Sequence, residues 1–351
     1  MRAAICAELP LICPACRVRT HAGRELFTLS VEAELVGVAG EIEEGILRCD
    51  NPACRRRYPI LDGIPILVAD LGAFLRGQLD AAIERELRPE TAALLALAGP
   101  DEAPFAERLA HLSTYLDAHW GDRAEPPPDG PAHTPPFGMR ELAERLGARA
   151  ETKVARAVEL GASVGRGVAE LARGAALTVG VDLHFGALQR ARRLLAGAPL
   201  AYARRLTGRH YSPAVARAGE LASPNVAWIC ADALDPPLAP GGFDRVVALN
   251  LLDNVHSPLG LLSVLDGLTA PEGELIVASP YSFSSQVVGE EHRFGERDPG
   301  GELVRRFRAG DGLEARYQIE DEAELTWWLR RDRRSGHAYA VHYIRARRLR
   351  S

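Results

Sequence analysis

The sequence predicts an α/β protein: a mostly parallel sheet in the larger, C-terminal part of the chain, behind a small cysteine-bearing domain. Three observations carry that expectation. The stretch Val154 to Asp182, VARAVELGASVGRGVAELARGAALTVGVD, runs from an apolar segment ending at Glu159 through a small-residue turn (Gly161, Ala162, Ser163, Gly165) and a helical pattern to a second apolar segment that stops at Asp182. Further apolar runs follow in NVAWICADALDPPLAP, GGFDRVVALNLLDNV and LTAPEGELIVASPY. Four of the six cysteines fall in two close pairs near the N-terminus.

The first of these is the most specific. In a strand, tight loop, helix, strand unit the loop lets a ligand approach the backbone, the helix start offers unpaired N–H groups, and an acid at the end of the second strand can accept from both hydroxyls of a ribose. The expected ligand is therefore a nucleoside.

Composition sets wide bounds. At 351 residues, 47% apolar and 25% charged, the chain is long enough for two modest domains with a good core. No apolar run approaches the roughly 20 residues that span a bilayer, and the N-terminus lacks a signal-peptide pattern, so the expected location is the cytoplasm, without a membrane partner. A formal net charge of −5 offers no general attraction to nucleic acid. Arginines do gather at Arg330, Arg331, Arg333 and Arg334 and again at Arg345, Arg347, Arg348 and Arg350. They read as a solvated basic tail, with a phosphate-binding patch as the second reading.

The spacing Glu159-Leu160-Gly161-Ala162-Ser163-Val164-Gly165 resembles the E/D-x-G-x-G-x-G motif of class I S-adenosylmethionine (SAM) dependent methyltransferases, with Ser163 in place of the middle glycine. The resemblance extends in order to the strand ending at Asp232-Ala233, to the fourth strand in FDRVVALNLL, and to the closing turn and strand in LTAPEGELIVASPY. It implies a Rossmann-like seven-stranded methyltransferase core with an antiparallel hairpin at its edge. It also implies that Glu159, Gly161, Ser163 and Gly165 hold the methionine and ribose part of SAM, Asp182 the ribose hydroxyls, and Asp232 with Ala233 the adenine. Asn250 belongs to the same cofactor side.

Cys13-Pro14-Ala15-Cys16 and Cys49-Asp50-Asn51-Pro52-Ala53-Cys54 form a C-x2-C and a C-x4-C knuckle separated by a segment of strand character, the arrangement a tetrahedral thiolate zinc site needs. Two disulfides are the weaker reading in a reducing compartment. With the following YPI-x-DGIP segment, Tyr58 to Pro65, the pattern resembles the Trm112-like zinc-ribbon family, whose members occur beside methyltransferases or fused to them. The resulting division is a zinc ribbon over 1–70, a helical linker with a proline-rich loop over 71–150, and the methyltransferase domain over 151–351. Cys230 reads as core.

In the linker, Tyr115, His119 and Trp120 admit two readings, a cover over the cofactor or plain amphipathic packing. Two insertions, Leu200 to Leu221 and Ser282 to Glu320, are expected to carry specificity. For the chemistry, methyl transfer needs mainly alignment, plus a base where the nucleophile must lose a proton. The candidates are Asn250, Asp253, His256 and Tyr281. The runs NLLDNVHSP, VASPY and ELTWWLRRDRRSGHAYAVHYIRARR also resemble the methyltransferase domain of ovothiol-forming enzymes, which implies that Asn250, Asp253, Tyr281 and the Trp327-Trp328 pair line the substrate side; core packing is the other reading of the tryptophans.

The favoured function is methyl transfer to a small-molecule acceptor, an amino-acid or thiol-imidazole (mercaptohistidine-like) metabolite. The N-P-P-[YF] signature of many nucleic-acid amino methyltransferases is replaced by Leu249-Asn250-Leu251-Leu252. An enzyme acting on RNA or a translation protein is the alternative, and a non-catalytic SAM-binding scaffold the third.

Overall fold

The computed structural model describes residues 1, 8–19, 26–38, 40–74, 87–98, 104–125, 137–295 and 297–350. Cys6, part of the linker and most of the proline-rich loop lie outside the described residues.

The N-terminal part is an antiparallel sheet of four strands in sequence order, β1 (Leu29–Val38), β2 (Glu41–Cys49), β3 (Arg57–Leu61) and β4 (Ile64–Pro65), with a short helix α1 (Pro14–Arg19). The β3–β4 connection is Asp62-Gly63, both at positive φ (46° and 69°), as a two-residue hairpin that follows the strand twist requires.

Linker helices α2 (Pro89–Ala98), α3 (Pro104–Trp120) and α4 (Arg140–Gly147) lead to the core. Its strands are β5 (Val154–Leu160), β6 (Ala175–Asp182), β9 (Val226–Cys230), β10 (Phe243–Leu249), β11 (Thr269–Ser279), β12 (Tyr317–Arg330) and β13 (Gly336–Arg348). They form one seven-stranded sheet in the order β12-β13-β11-β10-β5-β6-β9. The pairs among β11, β10, β5, β6 and β9 are parallel, whereas β13 runs antiparallel to both β11 and β12. Helices α5 (Arg166–Ala172), α6 (Phe185–Leu195), α7 (Pro258–Leu268) and α8 (Pro299–Ala309) are its principal core helices. The central strands are apolar at nearly every position because helices cover both faces. The β9 strand ends at Cys230, two residues short of the Asp232-Ala233 terminus expected from sequence.

The N-terminal sheet lies against the core. Leu11 makes an antiparallel bridge to Leu238, Ile66 a parallel bridge to Cys230, and the Leu67 amide donates to the Cys230 carbonyl at 2.8 Å. The ribbon thereby adds backbone pairing at β9, the last strand of the core sheet. One apolar cluster runs from Cys13, Leu47 and Ile60 through Val158 and Val179 to Leu261 and Phe307.

Two expectations change here. The segment Leu200 to Leu221 folds largely as a separate hairpin, β7 (Leu200–Thr207) and β8 (His210–Ala216), clamped to α3. Tyr202 Oη and Arg204 Nε donate to Asp117 Oδ1 at 2.6 and 2.8 Å, and Arg330 Nη1 reaches Asp117 Oδ2 at 3.1 Å, all buried. Four of the C-terminal arginines are ion-paired rather than free. Arg345 and Arg347 pair with Glu320, Arg348 with Glu314, and Arg350 with Glu272 across neighbouring strand ends.

Candidate active site

A cleft of about 240 Å³ opens where β5, β6 and β10 end, with α3 across it. The loop after β5 builds its floor. Gly165 sits at φ +83°, and a Cβ there would stand 2.7 Å from the Trp228 ring, so only glycine lets the loop close onto β9. Ser163 also takes a left-handed φ of 48° although it carries a side chain. Its amide donates to Asp182 Oδ2 at 2.7 Å, while the His184 amide donates to Oδ1 at 2.7 Å. Asp182 is thus oriented by two backbone donors and keeps lone pairs for a ligand. Loss of hydration in the cleft nevertheless pushes its carboxyl above the usual range.

Glu159, the penultimate residue of β5, is buried among the loop atoms. A Cβ on Gly167 would lie 2.3 Å from its carboxylate, so a glycine at the start of α5 makes room for it. Burial first and the Asp182 charge second hold the Glu159 carboxyl well above its ordinary value.

Four polar atoms lining the cleft are buried without a hydrogen-bond partner among the described residues: Glu159 Oε2, Asn250 Oδ1, His119 Nδ1 and Trp327 Nε1. Buried polar groups are ordinarily satisfied, and leaving one bare costs about 1–3 kcal/mol. Such a concentration in one cleft fits a polar ligand with both donors and acceptors, which is the chemistry of the amino-acid and ribose parts of SAM.

Helix α3 separates the two readings of its aromatic residues. Tyr115 and His119 line the cleft, together with His111 one turn earlier. Trp120 is fully buried and donates through Nε1 to the Val164 carbonyl at 2.8 Å, so it pins the glycine-containing loop from behind. His119 is pushed down to about 3 by burial and by the neighbouring Arg166, and is neutral at physiological pH. His111 stacks on His184 with ring centroids 5.5 Å apart. It keeps an exposed edge, yet the protein around the rest of the ring and the adjacent His184 push it down to about 4.

Of the residues singled out from sequence, Glu159, Gly161, Ser163, Asp182 and Asn250 meet at this cleft, and Trp327 joins them from β12. Asp232 and Ala233 follow β9 beside Asp182, whose carbonyl accepts from the Ala231 amide at 3.1 Å, but they are not among the lining residues. Asp253 faces inward behind the lining, accepting from Ser279 Oγ at 3.3 Å and the Ser282 amide at 3.2 Å. His256 is exposed. Tyr281 stands on the next turn, after β11. No described residue of the Leu200–Leu221 or Ser282–Glu320 segments lines the cleft. His111, Met139, Leu142 and His184 do, and were not anticipated; only the position of His184, two residues past Asp182, signals it in the sequence.

In the ribbon, the sulfurs of Cys13, Cys16, Cys49 and Cys54 all lie within 4.8 Å of one another. Cys13 Sγ is 3.3 Å from Tyr58 Oη, and the Asn51 amide donates to Cys49 Sγ at 3.4 Å.

Residues 158–277 match the family model described as a methyltransferase domain. This part of the chain is a SAM-dependent methyltransferase domain. No curated protein matches the chain. Among solved structures, this chain is similar to the N-methyltransferase NodS from Bradyrhizobium japonicum WM9 in complex with S-adenosyl-L-homocysteine, at 16% identity, covering 60% of this chain and 86% of that one with a TM-score of 0.39. The YcgJ protein from Bacillus subtilis gives 12% identity, 60% and 99% coverage and a TM-score of 0.39. A chain from the Haloferax volcanii complex that contains the Trm112 methyltransferase activator gives 14%, 61%, 93% and 0.40. Among the described residues, no helix is long and apolar enough to cross a membrane.

Proposed function

We propose that the protein is an enzyme that transfers the methyl group of SAM to a small-molecule acceptor of the amino-acid or thiol-imidazole class. The observation that carries this reading is the set of four buried atoms, unpartnered among the described residues, around one cleft at the carboxyl ends of β5, β6 and β10. When bound, SAM supplies an electrophilic methyl group on a sulfonium. Glu159 and the loop to Gly165 hold its methionine part, Asp182 accepts from the ribose hydroxyls, and Asp232 with Ala233 meets the adenine. Asn250, Asp253, His256 and Tyr281 belong to the acceptor side. Pairing of Arg345, Arg347, Arg348 and Arg350 with carboxylates supports a small acceptor over RNA, since it offsets the charge that this cluster would offer a phosphate backbone.

The N-terminal part is read as a Trm112-like ribbon in which Cys13, Cys16, Cys49 and Cys54 hold a structural zinc ion. Four clustered thiols supply a complete tetrahedral thiolate set, which leaves no open coordination position for catalysis. Calorimetric titration of the zinc-counted protein with SAM and S-adenosylhomocysteine (SAH) tests the enzyme reading; micromolar binding is expected, and its absence in a folded sample overturns it.

A further inference from the structure

The C-terminal end of α3 lies over the start of α5. Trp120 Nε1 donates to the Val164 carbonyl at 2.8 Å, and Arg166 Nη1, at the first position of α5, donates to the His119 carbonyl at 3.1 Å. Glu159 reaches the same place from β5, with its carboxylate against Gly167, the second residue of α5. The linker helix and the strand thus bring an imidazole and a carboxylate to one end of the cleft, and both residues line it. Helix α3 lies wholly before residues 158–277, so the family match does not reach His119.

The two groups complement each other. Glu159 Oε2 and His119 Nδ1 are both buried without a hydrogen-bond partner among the described residues, a state that ordinarily marks a missing ligand group. His119 is 8% exposed and neutral, so its ring carries one N–H donor and one lone pair. Glu159 when ionised only accepts. The amino-acid end of SAM or SAH bears an ammonium and a carboxylate on one carbon, and Glu159 can meet only the ammonium. The carboxylate needs a donor in a cleft whose described lining holds the acids Glu159 and Asp182 but no lysine or arginine. Other ring and amide donors of the lining stand elsewhere. His184 accepts from the Ala187 amide at 3.0 Å and stacks on His111, close to Asp182, while Asn250, Asn254 and Trp327 come from the β10 and β12 side. The Tyr115 phenol feels the negative charges of Asp182 and Asp253, which disfavour a further anion beside it. The His119 ring instead feels the positive charge of Arg166, and the same field favours an anion there.

We propose that His119 is a cofactor-binding residue that donates to the carboxylate of the methionine part of SAM while Glu159 takes its ammonium, which makes the linker helix α3 part of the cofactor site. The inference rests on the methyltransferase reading of the cleft. It turns the amino-acid end of the cofactor into a recognition element read from two sides, by a strand of the core and by a helix that precedes it. Nucleoside ligands without the carboxylate gain nothing from His119.

The test is calorimetry on the full chain with SAH and with its decarboxylated analogue, which keeps the ammonium. The wild-type protein is expected to prefer SAH by about tenfold or more, the worth of a hydrogen bond to a charged group. His119→Ala is expected to abolish that preference while leaving affinity for the decarboxylated analogue within about twofold of wild type. His119→Phe fills the space of the ring without a donor; it is expected to give the same ligand-selective loss and stands in for the alanine variant if that does not fold. Equal loss for both ligands in the His119 variants marks a packing role and overturns the proposal. So does a wild-type protein with no preference, or a preference that survives in the His119 variants and disappears in Trp327→Phe. A folded wild-type protein that binds neither ligand instead overturns the methyltransferase reading beneath it.

Discussion

The Ser163 amide donates to Asp182 Oδ2 at 2.7 Å and so ties the loop after β5 to the acid at the end of β6. Loop shape and carboxylate orientation are one arrangement. Asp182→Ala is expected to remove a charged acceptor, worth about 1.5–3 kcal/mol per hydrogen bond, and to weaken SAH binding at least tenfold by calorimetry. Asp182→Asn should also weaken binding, because one of its two ends then presents N–H to the Ser163 or His184 amide.

Glu159 links affinity to pH. Its folded carboxyl lies well above the ordinary 4.5, so between that value and its folded value the native state holds a proton that the unfolded chain has lost. Stability therefore falls as pH rises through this window, and below it the group has no effect. Binding the ammonium of SAH favours the ionised form and releases the proton. Affinity should accordingly rise with pH, and the binding enthalpy should change with buffer ionisation enthalpy. Glu159→Gln is expected to raise the melting temperature within this window while weakening SAH binding.

Replacing Cys13 and Cys16 by serine should abolish zinc in the purified protein, measured by metal counting. Arg17 follows Cys16 and pairs with Asp235 at 3.4 Å, also donating to the Pro236 carbonyl, in the segment that begins at Asp232. SAH affinity is therefore expected to fall in the same variant, and an unchanged affinity would separate the ribbon from the cofactor loop.

Asp117→Asn should be severely destabilising. The carboxylate stands between Arg204 and Arg330, both 2% exposed, and its loss leaves two buried guanidinium groups without the carboxylate they share. Breaking a buried pair from one side costs about 3–5 kcal/mol, readable as a lower denaturation midpoint.

Much of the core is legible in the sequence because it is local. The loop between β5 and α5 needs small residues where backbone, Trp228 and Glu159 crowd it, and those residues are contiguous. The four cysteines are legible through their spacing. What lies across the chain is not. Trp120 reads like its cleft-lining neighbours Tyr115 and His119, yet a helix turns about 100° per residue and points it at Val164. Arg345, Arg347, Arg348 and Arg350 read as a solvated tail because their carboxylate partners, Glu272, Glu314 and Glu320, come from other strands and turns. The Leu200–Ala216 hairpin reads as an insertion near the cleft, but Tyr202 and Arg204 answer to Asp117, roughly ninety positions earlier in the chain.

The bridge from Ile66 to Cys230 has a consequence for the exposed edge of the core sheet. A bare final strand presents a row of unpaired amides and carbonyls to any passing chain, and native proteins cover, shorten or charge such edges. Here the segment just after β4, Ile66 and Leu67, occupies part of that row within the same molecule. A truncated form beginning near residue 87 would uncover β9 and is expected to self-associate in solution.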